Sequence, residues 1–578
     1  MLAASNHWED TMKAASAVHF TIITVCCLVF LAGCAVTPYD DSDAGDADIP
    51  SESEPDATPE ADVGPDADPV EMDTEVDADM DAEVEVEPDA DPDVDDGPVI
   101  IDENTESAPT PSLVEVGSDG FLLRGTVLTP DEVIDPGEVL VDGELITCVD
   151  VNCSDEADGG NYSIIETDGV ISPGLIDAHN HIPYNFLPPW FPNPETTFNN
   201  RYEWADEAAY RNHIAPYGDN RNRGTHYCPA AKWGEMRSLV HATTTVQGQS
   251  FQQRCVDWAV RNADHYHGLQ HNHMRTTIGS PRDITDDQAD NYIASFEAEN
   301  NPTTRLAVHM GEGHSGRGVE DEFDSFAGRD ERDNRHAGVS LLDHGTALLI
   351  HAIPLTIPQL EEVYLTNSRI VWSPSSNFQL YGAGVTAPIE DILEWGITTA
   401  LGPDWTVSGA FDMLEEMRVA KGHGLVEEID LLTPERIWRM ATIDGADAVG
   451  LEEFIGKLEP GYHADIAIFG RYGDDPYRAV LDSRSEDVEL VLIGGNAYFG
   501  DQALEDAARN DYCDSFDACG ASKFLCAKEG PDADDRGDER VEDIREQLID
   551  ILEGRDDAPP EEQYGRGDEL LDLVICGI

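Results

Sequence analysis

Positive charge is scarce in this chain of 578 residues, which carries 34 Lys and Arg residues against 118 Asp and Glu residues. The formal net charge at pH 7 is −84. Affinity for nucleic acid comes largely from Lys and Arg side chains that neutralise phosphates. The composition therefore argues against nucleic acid as a partner.

Long apolar runs are also scarce, and the clearest one lies near the N-terminus. Residues 20–30 are too few for a comfortable membrane span, but they have the length of a signal-peptide core. The run ends in Leu31-Ala32-Gly33-Cys34, which resembles a bacterial lipobox. We expect a lipid anchor at Cys34 and a place in the bacterial cell envelope, with Ala35 favouring the outer membrane. A plain secretory signal or a retained anchor is the alternative.

Residues 40–96 contain no Lys or Arg but 26 Asp or Glu residues, interleaved with Pro, Ala and Val. Such a segment cannot bury enough apolar surface to fold, and its like charges extend it. We therefore predict a signal peptide over residues 1–34 and an acidic disordered tether over residues 35–117.

Residues that suit metal binding end several short apolar runs. Pro173-Gly174-Leu175-Ile176-Asp177-Ala178-His179-Asn180-His181 places two imidazoles two positions apart, so that both point to the same side of a strand. His309, His351 and Asp404 each end a further run. A (β/α)8 barrel keeps its catalytic residues at such strand ends, and imidazole with carboxylate suits a first-row metal.

On these motifs the chain resembles the amidohydrolase superfamily, in the branch that contains triazine hydrolases and aminohydrolases of nucleobase-like rings. The resemblance covers about residues 121–500. It implies an α/β fold, with a (β/α)8 TIM barrel over residues 171–460 and a small β-sandwich built from residues 118–170 and 461–505. It also implies one divalent metal ion, held by His179, His181, His309 and Asp404.

The same resemblance implies catalytic roles for three residues. Glu312, three residues after His309, is expected to carry a proton to the substrate, and His351 to orient the attacking water or polarise the substrate. Asp404 can both bind the metal and accept a proton from the water. A leaving nitrogen needs such a proton, which a positioned carboxyl group can supply.

These roles predict a metal-dependent hydrolase that acts on a non-peptide C–N bond of a small molecule. We expect hydrolytic deamination of a heteroaromatic amine. Three alternatives stay open at this point. They are ring opening of a cyclic amide, as in imidazolonepropionase-like relatives, a catalytically inactive surface-tethered binding protein, and a structural surface protein.

A single metal is favoured because related two-metal enzymes need a lysine on the fourth strand. Lys232 is the only lysine between His181 and His309, and its surroundings predict a helix. We expect Zn2+, with Fe2+ or Mn2+ as alternatives. Two departures from the family pattern, Pro403 and Ala352, line the substrate side and weaken any transfer of substrate specificity.

Other residues near the motifs allow two interpretations each. His271 and His273 form a second H-x-H, which we interpret as outside the metal site because its ligand positions are already filled. Aromatic residues after the first motif either stack on a planar substrate ring or pack on one another. They are Trp190, Phe191, Tyr202 and Trp204.

Eight of the eleven cysteines lie beyond the signal segment, an even number that predicts disulfides in an exported chain. Cys148 pairs naturally with Cys153, and Cys228 with Cys255. Four more lie in a C-terminal extension, residues 506–578, where we expect two disulfides rather than a second metal site. They are Cys513, Cys519, Cys526 and Cys576.

Overall fold

The computed structural model describes most of the chain after residue 110. The predicted signal peptide and most of the predicted tether lie outside the described residues. The described ranges are 111–190, 197–218, 227–248, 255, 258–264, 269, 273–277, 279–300, 302–329, 338–470, 473–508, 512–526, 540–553 and 570–577.

Eighteen strands occur in this described part of the chain. In chain order they are β1 Ser112–Glu115, β2 Gly120–Leu128, β3 Val133–Asp142, β4 Leu145–Asp150, β5 Tyr162–Pro173, β6 Leu175–Asp177, β7 Thr243–Val246, β8 Arg261–Asn262, β9 His273–Thr277, β10 Thr303–Met310, β11 Ala347–His351, β12 Arg369–Trp372, β13 Thr399–Leu401, β14 Ile466–Phe469, β15 Val488–Ile493, β16 Asn496–Asp501, β17 Cys513–Ala518 and β18 Ala521–Cys526.

Fourteen α-helices occur within the same described ranges. They are α1 Arg201–Asp206, α2 Ala208–His213, α3 Ala215–Gly218, α4 Tyr227–Val240, α5 Asp286–Phe296, α6 Glu322–Phe326, α7 Ile357–Leu365, α8 Pro374–Tyr381, α9 Ile389–Glu394, α10 Met413–Val426, α11 Pro434–Met440, α12 Ile443–Val449, α13 Pro476–Asp482 and α14 Val541–Glu553.

The first sheet joins strands from both flanks of the chain. Its ten strands follow the order β17-β18-β16-β15-β14-β5-β2-β3-β4, with β1 paired to β5. Most neighbours run antiparallel, but β2 and β5 run parallel. Apolar side chains from these strands, among them Phe121, Ile165 and Leu490, form one buried cluster.

Two further sheets are wholly parallel and alternate with helices, which makes the central region an α/β structure. One has the order β13-β12-β11-β10-β9 and the other β6-β7-β8. The edge strands β6 and β13 also meet, because the amide of Ala178 donates to the carbonyl of Leu401 at 3.1 Å. Parallel strands present their carboxyl ends at one face, where polar side chains from several strands can converge.

Local sequence features account for several turns and helix starts. A turn at Gly143, where φ is 59°, joins β3 to β4. The strands β14 and β15 after the central region consist almost entirely of apolar residues. Thr433 caps α11 by accepting a hydrogen bond from the Arg436 amide, with Pro434 in the first turn, as residue preferences at helix starts predict.

The C-terminal extension is tied to the rest of the fold by covalent and apolar contacts. Its four cysteines form the expected two disulfides, Cys513–Cys526 and Cys519–Cys576. Helix α14 packs against α4. The pairs Cys148–Cys153 and Cys228–Cys255 are also confirmed. Among the described helices, none is both long and apolar enough to cross a membrane.

Candidate metal centre

The residues singled out in the sequence converge at the carboxyl ends of the parallel strands. His179 and His181 follow β6, His309 is the penultimate residue of β10, His351 ends β11, and Asp404 follows β13. Three overlapping groups have ligand atoms that lie within 4.8 Å of one another. They are His179 with His181 and His309, His179 with His351 and Asp404, and His309 with Glu312 and His351.

Asp404 lies between the two histidines of the first motif. Its Oδ1 is 3.1 Å from His179 Nε2 and 3.3 Å from His181 Nε2. Ligand atoms held at about 2.0–2.1 Å by one tetrahedral zinc ion lie roughly 3.3 Å apart. The other carboxylate oxygen, Oδ2, accepts a hydrogen bond of 2.7 Å from Ser376. The carboxylate is therefore fixed with one oxygen turned towards the imidazoles.

The hydrogen bonds around Gln247 determine which nitrogen of His179 carries hydrogen. Gln247 Nε2 donates to Asp264 and Thr276, at 3.1 and 3.0 Å, so the amide oxygen is the atom that faces His179 Nδ1, at 3.2 Å. Because an amide oxygen only accepts, Nδ1 must carry the hydrogen. The lone pair of His179 then lies on Nε2, the nitrogen that faces Asp404.

Several buried ring nitrogens at this centre make no hydrogen bond to any described residue. They are His179 Nε2, His309 Nδ1 and His351 Nε2. Buried polar atoms without partners are rare in folded proteins and call for an explanation, such as an ion. Three imidazoles and a carboxylate form a donor set that suits zinc or iron. The residues therefore fit one divalent ion bound by His179, His181, His309 and Asp404.

Electrostatics keep most of these groups in the forms that bind metal. Burial lowers the pKa of His309 well below its usual value, so this imidazole is neutral. Burial alone would raise the pKa of Asp404, but the neighbouring His179 and His181 hold it well below its ordinary value. For His179 the effect of Asp404 outweighs burial and raises the pKa, so a proton competes with a metal ion for this nitrogen.

Glu312 lies two residues beyond β10 and is 4% exposed. Its Oε2 is 3.7 Å from His351 Nε2, and its Oε1 accepts a hydrogen bond of 2.8 Å from the Tyr381 hydroxyl. Burial raises the pKa of the Glu312 carboxyl, although the nearby Arg201 opposes the shift. A carboxyl with a raised pKa is better matched to taking and giving a proton near neutral pH.

His351 presents an acceptor nitrogen to the site. Asn377 Nδ2 donates to Thr386 Oγ1 at 3.1 Å, so its amide oxygen faces His351 Nδ1 at 3.2 Å. Nδ1 therefore carries the hydrogen and Nε2 the lone pair. Burial lowers the pKa of His351 to about 3, so the ring is neutral. A neutral ring with this tautomer can accept a hydrogen bond from water at Nε2.

The backbone at this end of the strands adopts conformations that most residues avoid. His351, Ala352 and Asp404 have φ values of 69°, 53° and 73°. Gly311 and Gly313, which flank Glu312, also have positive φ, and a Cβ on Gly313 would lie 2.4 Å from the Asn200 backbone. Such strained positions persist where the surrounding structure enforces them, and they cluster at functional sites.

Two of the aromatic residues singled out in the sequence, Trp190 and Trp204, pack on other aromatic side chains of the protein. Trp190 stacks on Phe198 at 6.3 Å, and Trp204 contacts Tyr210 at 5.0 Å. Tyr202 donates its hydroxyl hydrogen to Glu322. Of the two interpretations, mutual packing describes Trp190 and Trp204, while Phe191 lies outside the described residues.

Two other predictions from the sequence concern residues near the motifs. Lys232 lies within α4, as expected, and its ammonium is 5.6 Å from the centroid of the Trp258 ring. His273 begins β9, but its side chain and the whole of His271 lie outside the described residues.

Sequence reasoning missed the residues that orient the histidines. Gln247 directly follows β7, so the rule that singled out His309 and His351 as ends of apolar runs would have found it too. Ser376 and Asn377 lie at the start of α8, just after the strand end Trp372. Tyr381 gives no sequence signal, because it ends a helix and reaches Glu312 only through the fold.

Comparison with known proteins adds a family and several relatives. The model of the amidohydrolase family matches residues 170–498. A 5-methylthioadenosine/S-adenosylhomocysteine deaminase from Haloarcula marismortui is 24% identical over 381 residues, which cover 61% of this chain and 84% of the relative. A 5′-deoxyadenosine deaminase from Methanobrevibacter smithii is 33% identical over 162 residues, covering 27% of this chain and 35% of the relative.

Among solved structures, an adenosine deaminase from Xanthomonas campestris with bound zinc is similar, with 17% identity and a TM-score of 0.47. The similarity covers 66% of this chain and 93% of that chain. The family model matches more than half of the residues, including every proposed ligand. The chain belongs to the amidohydrolase family.

Proposed function

We propose that this protein hydrolytically deaminates a heteroaromatic amine, with one zinc ion bound by His179, His181, His309 and Asp404. The observation that carries the proposal is the position of Glu312. Its buried carboxyl faces His351 Nε2 at 3.7 Å and belongs to the same cluster of ligand atoms as His309. Adenosine-type relatives named as deaminases support a purine-like ring as the substrate.

The bound ion would supply Lewis acidity that makes water a stronger nucleophile near neutral pH. The protein groups then divide the proton transfers. Asp404 accepts a proton from the water, and the neutral His351 accepts a hydrogen bond that orients the water. Glu312 delivers a proton to the substrate nitrogen and is reprotonated by the proton that Asp404 took from the water. A C–O bond forms, the C–N bond breaks, and ammonia leaves.

Ammonia release tests the proposal directly. Purified protein, loaded with zinc, should be offered 5′-methylthioadenosine, 5′-deoxyadenosine, guanine, an amino-triazine and a cyclic amide in parallel. The proposal predicts ammonia from at least one ring amine, and a strongly reduced rate of ammonia release from the Glu312→Gln variant. Ring opening of the cyclic amide without ammonia from any amine would replace it with the amide-hydrolase alternative.

We also propose that the eight parallel strands β6 to β13 close into one (β/α)8 barrel. The amide of Ala178 bonds to Leu401 where β6 meets β13, and Thr276 Oγ1 donates to Asp264 Oδ1 at 2.6 Å beside the β8–β9 junction. The ten-stranded sheet would fold into the small β-sandwich. We place the barrel at residues 171–460 and most of the sandwich at residues 118–170 and 461–505. The sheet also takes in β1, from the end of the predicted tether, and β17 and β18, from the C-terminal extension.

We propose further that the enzyme is exported and held on the cell envelope by a lipid on Cys34 and the acidic tether. The four disulfides among described residues support an oxidising compartment, since disulfides are rare in the cytosol. Fractionation of cells that express wild-type and Cys34→Ala protein tests this. The wild type should remain with membranes and the variant should not, and equal distribution would contradict the anchor.

A further inference from the structure

Glu312 is held by a chain of two hydrogen bonds that begins in a different part of the sequence. The Tyr381 hydroxyl lies 2.8 Å from Glu312 Oε1. The indole nitrogen of Trp204 lies 3.0 Å from the same hydroxyl. Tyr381 is the last residue of α8 and is 3% exposed, and Trp204 lies in α1. Residues from three separate segments, which are α1, α8 and the loop after β10, therefore form one chain of hydrogen bonds that ends at Glu312 Oε1.

The chemistry of the donors fixes the direction of this chain. An indole N–H can only donate, so the Tyr381 oxygen accepts from Trp204. The single hydroxyl hydrogen of Tyr381 is then directed at Glu312 Oε1. Burial raises the pKa of Tyr381 well above its usual value, so the phenol keeps this hydrogen.

The two oxygens of Glu312 are consequently unequal. Oε1 accepts the hydroxyl hydrogen of Tyr381, and a proton placed on Oε1 would weaken or displace this hydrogen bond, because a neutral acid oxygen is a poorer acceptor than a carboxylate oxygen. Oε2 faces the metal centre, 3.7 Å from His351 Nε2 and 4.0 Å from Arg201 Nη1. An unsatisfied buried donor costs about 1–3 kcal/mol, which favours protonation at the other oxygen.

The segment that carries Trp204 is also attached to the backbone around Glu312. The amide of Arg201 donates to the Glu312 carbonyl at 3.0 Å. Asn200 forms a β-bridge with Gly313, and its side chain donates to the Ser315 carbonyl at 2.8 Å. The start of α1 is therefore bonded to the backbone around Glu312, and these bonds fix the position of Trp204 relative to the Glu312 carboxyl.

We propose that Tyr381, oriented by Trp204, is a positioning residue that reserves Oε1 of Glu312 and leaves Oε2 as the oxygen that takes and gives the proton. The inference rests on the proposed deamination, because it assigns the proton delivered to the leaving nitrogen to one atom. The proton that Asp404 takes from the water is passed to Oε2 and leaves again to the substrate nitrogen, so both carboxylates are regenerated in each turnover.

Kinetics of the Tyr381→Phe variant with 5′-methylthioadenosine provide the first test. The variant removes only the hydroxyl, so we expect kcat to fall about ten- to hundredfold, with KM within twofold and zinc content unchanged. The exposed Tyr364 on α7 provides the matched control, and Tyr364→Phe should leave both constants unchanged. A Tyr381→Phe variant with wild-type kcat would overturn the proposal.

A double variant separates positioning from general damage. In the Glu312→Gln background, Tyr381→Phe should lower the residual rate less than twofold, because the group that it positions is already gone. An undiminished loss in that background would contradict the proposal. If Tyr381→Phe does not fold, Trp204→Phe carries the same test, with a smaller expected fall in kcat and the same dependence on Glu312.

A crystal structure of the zinc-loaded Tyr381→Phe variant tests the inference without any turnover. We expect the Glu312 carboxyl to rotate or to occupy more than one conformer, while His179, His181 and His309 stay in place. An unmoved carboxyl would overturn the positioning role. If the wild type releases no ammonia from 5′-methylthioadenosine while this carboxyl moves as expected, deamination of that substrate fails and the positioning of Glu312 stands.

Discussion

The two ends of the parallel strands contrast in how their buried polar groups are satisfied. At the carboxyl end, buried ring nitrogens of His179, His309 and His351 make no hydrogen bond to described residues. At the opposite end, Arg305 and Arg369 both bind Asp447 Oδ1, at 3.0 and 2.9 Å, and the Asp447 carbonyl accepts from Arg305 as well. The buried guanidinium groups at one end are therefore paired, and the buried imidazoles at the other are left open to an additional group.

The backbone of these two sets of residues differs in the same direction, although Ala242 and Asn367, which precede β7 and β12, also have positive φ. His351 and Asp404 have positive φ at the carboxyl end, whereas Arg305 and Arg369, at the amino-terminal side of β10 and β12, have ordinary strand conformations. Strain and unpaired groups cost stability, so they persist where another requirement outweighs that cost. The imidazole cluster at the carboxyl end is therefore suited to binding a metal ion, and the Arg305–Arg369–Asp447 cluster at the opposite end stabilises the fold.

Among the variants that test this difference between the two ends, Glu312→Gln is expected to have the largest effect. The Glu312→Gln variant keeps the shape of the side chain but replaces the carboxyl by an amide, which cannot take or give the catalytic proton. We therefore expect kcat to fall about 10²–10⁴-fold. The thermal midpoint should stay the same or rise slightly, because a buried carboxyl with a raised pKa is replaced by a neutral amide. A loss of stability without a loss of kcat would show that the role of Glu312 is structural and not catalytic.

The converse change is Asp447→Ala at the opposite end. It leaves two buried guanidinium groups without their shared carboxylate, and we expect a loss of about 2–4 kcal/mol in the free energy of unfolding. Denaturant unfolding measures this loss. At a temperature where the variant is folded, kcat should remain within about twofold of the wild type. A fall in kcat comparable to that of Glu312→Gln would break the division between the two ends.

An intermediate effect is expected at Gln247, which fixes the tautomer of His179. Gln247→Leu removes the acceptor for Nδ1–H, and zinc affinity should fall about 10–100-fold, as for other residues that orient metal ligands. Competition with a chromophoric chelator measures the affinity without any substrate. The matched control is Gln379→Leu, since Gln379 donates only to the Val407 carbonyl. Equal affinities in both variants would contradict the role of Gln247.

The smallest effect concerns Glu489, a buried carboxyl in the ten-stranded sheet, away from both ends. Burial raises its pKa to about 7, against the hydrogen bond from Thr167. The folded state therefore binds a proton that the unfolded state has already released above about pH 4.3. The contribution of this group to stability is present below that pH and is lost as the pH rises towards about 7.

Replacing Glu489 by Gln should remove this loss. The stability of Glu489→Gln relative to wild type should therefore increase from pH 5 to pH 8, by about 2 kcal/mol. Unfolding curves of both proteins across this range provide the measurement. A constant difference between them would show that the carboxyl titrates alike in the folded and unfolded states.

The α/β class and the residues that converge at the metal centre were predictable from the sequence. Ligands of one metal ion must come from strands that end at the same face, and the candidate ligands lie at or just after the ends of short apolar runs. His179, His181, His309, His351 and Asp404 were found from the apolar runs before them. The sequence could not predict Tyr381 or Trp204, because their roles depend on how α1 and α8 approach the loop after β10. Nor could it choose between stacking on a substrate and mutual packing for the aromatic residues, since both use the same apolar surface.

Disulfide pairing was predictable for a different reason. Cys148 and Cys153 are close in sequence, and an even number of cysteines favours complete pairing. The connectivity of the four cysteines in the C-terminal extension was left open. It depends on the register of β17 and β18, which places Cys513 opposite Cys526 and leaves Cys519 for Cys576.

Metal content tests the central claim most directly. Elemental analysis should be made on purified protein that begins near residue 110 and so keeps β1, beside the His179→Ala/His181→Ala double variant. We predict about one zinc or iron ion per chain in the first protein and none in the second. Two ions per chain would contradict the mononuclear site, and equal content in both proteins would contradict the assignment of these histidines as ligands.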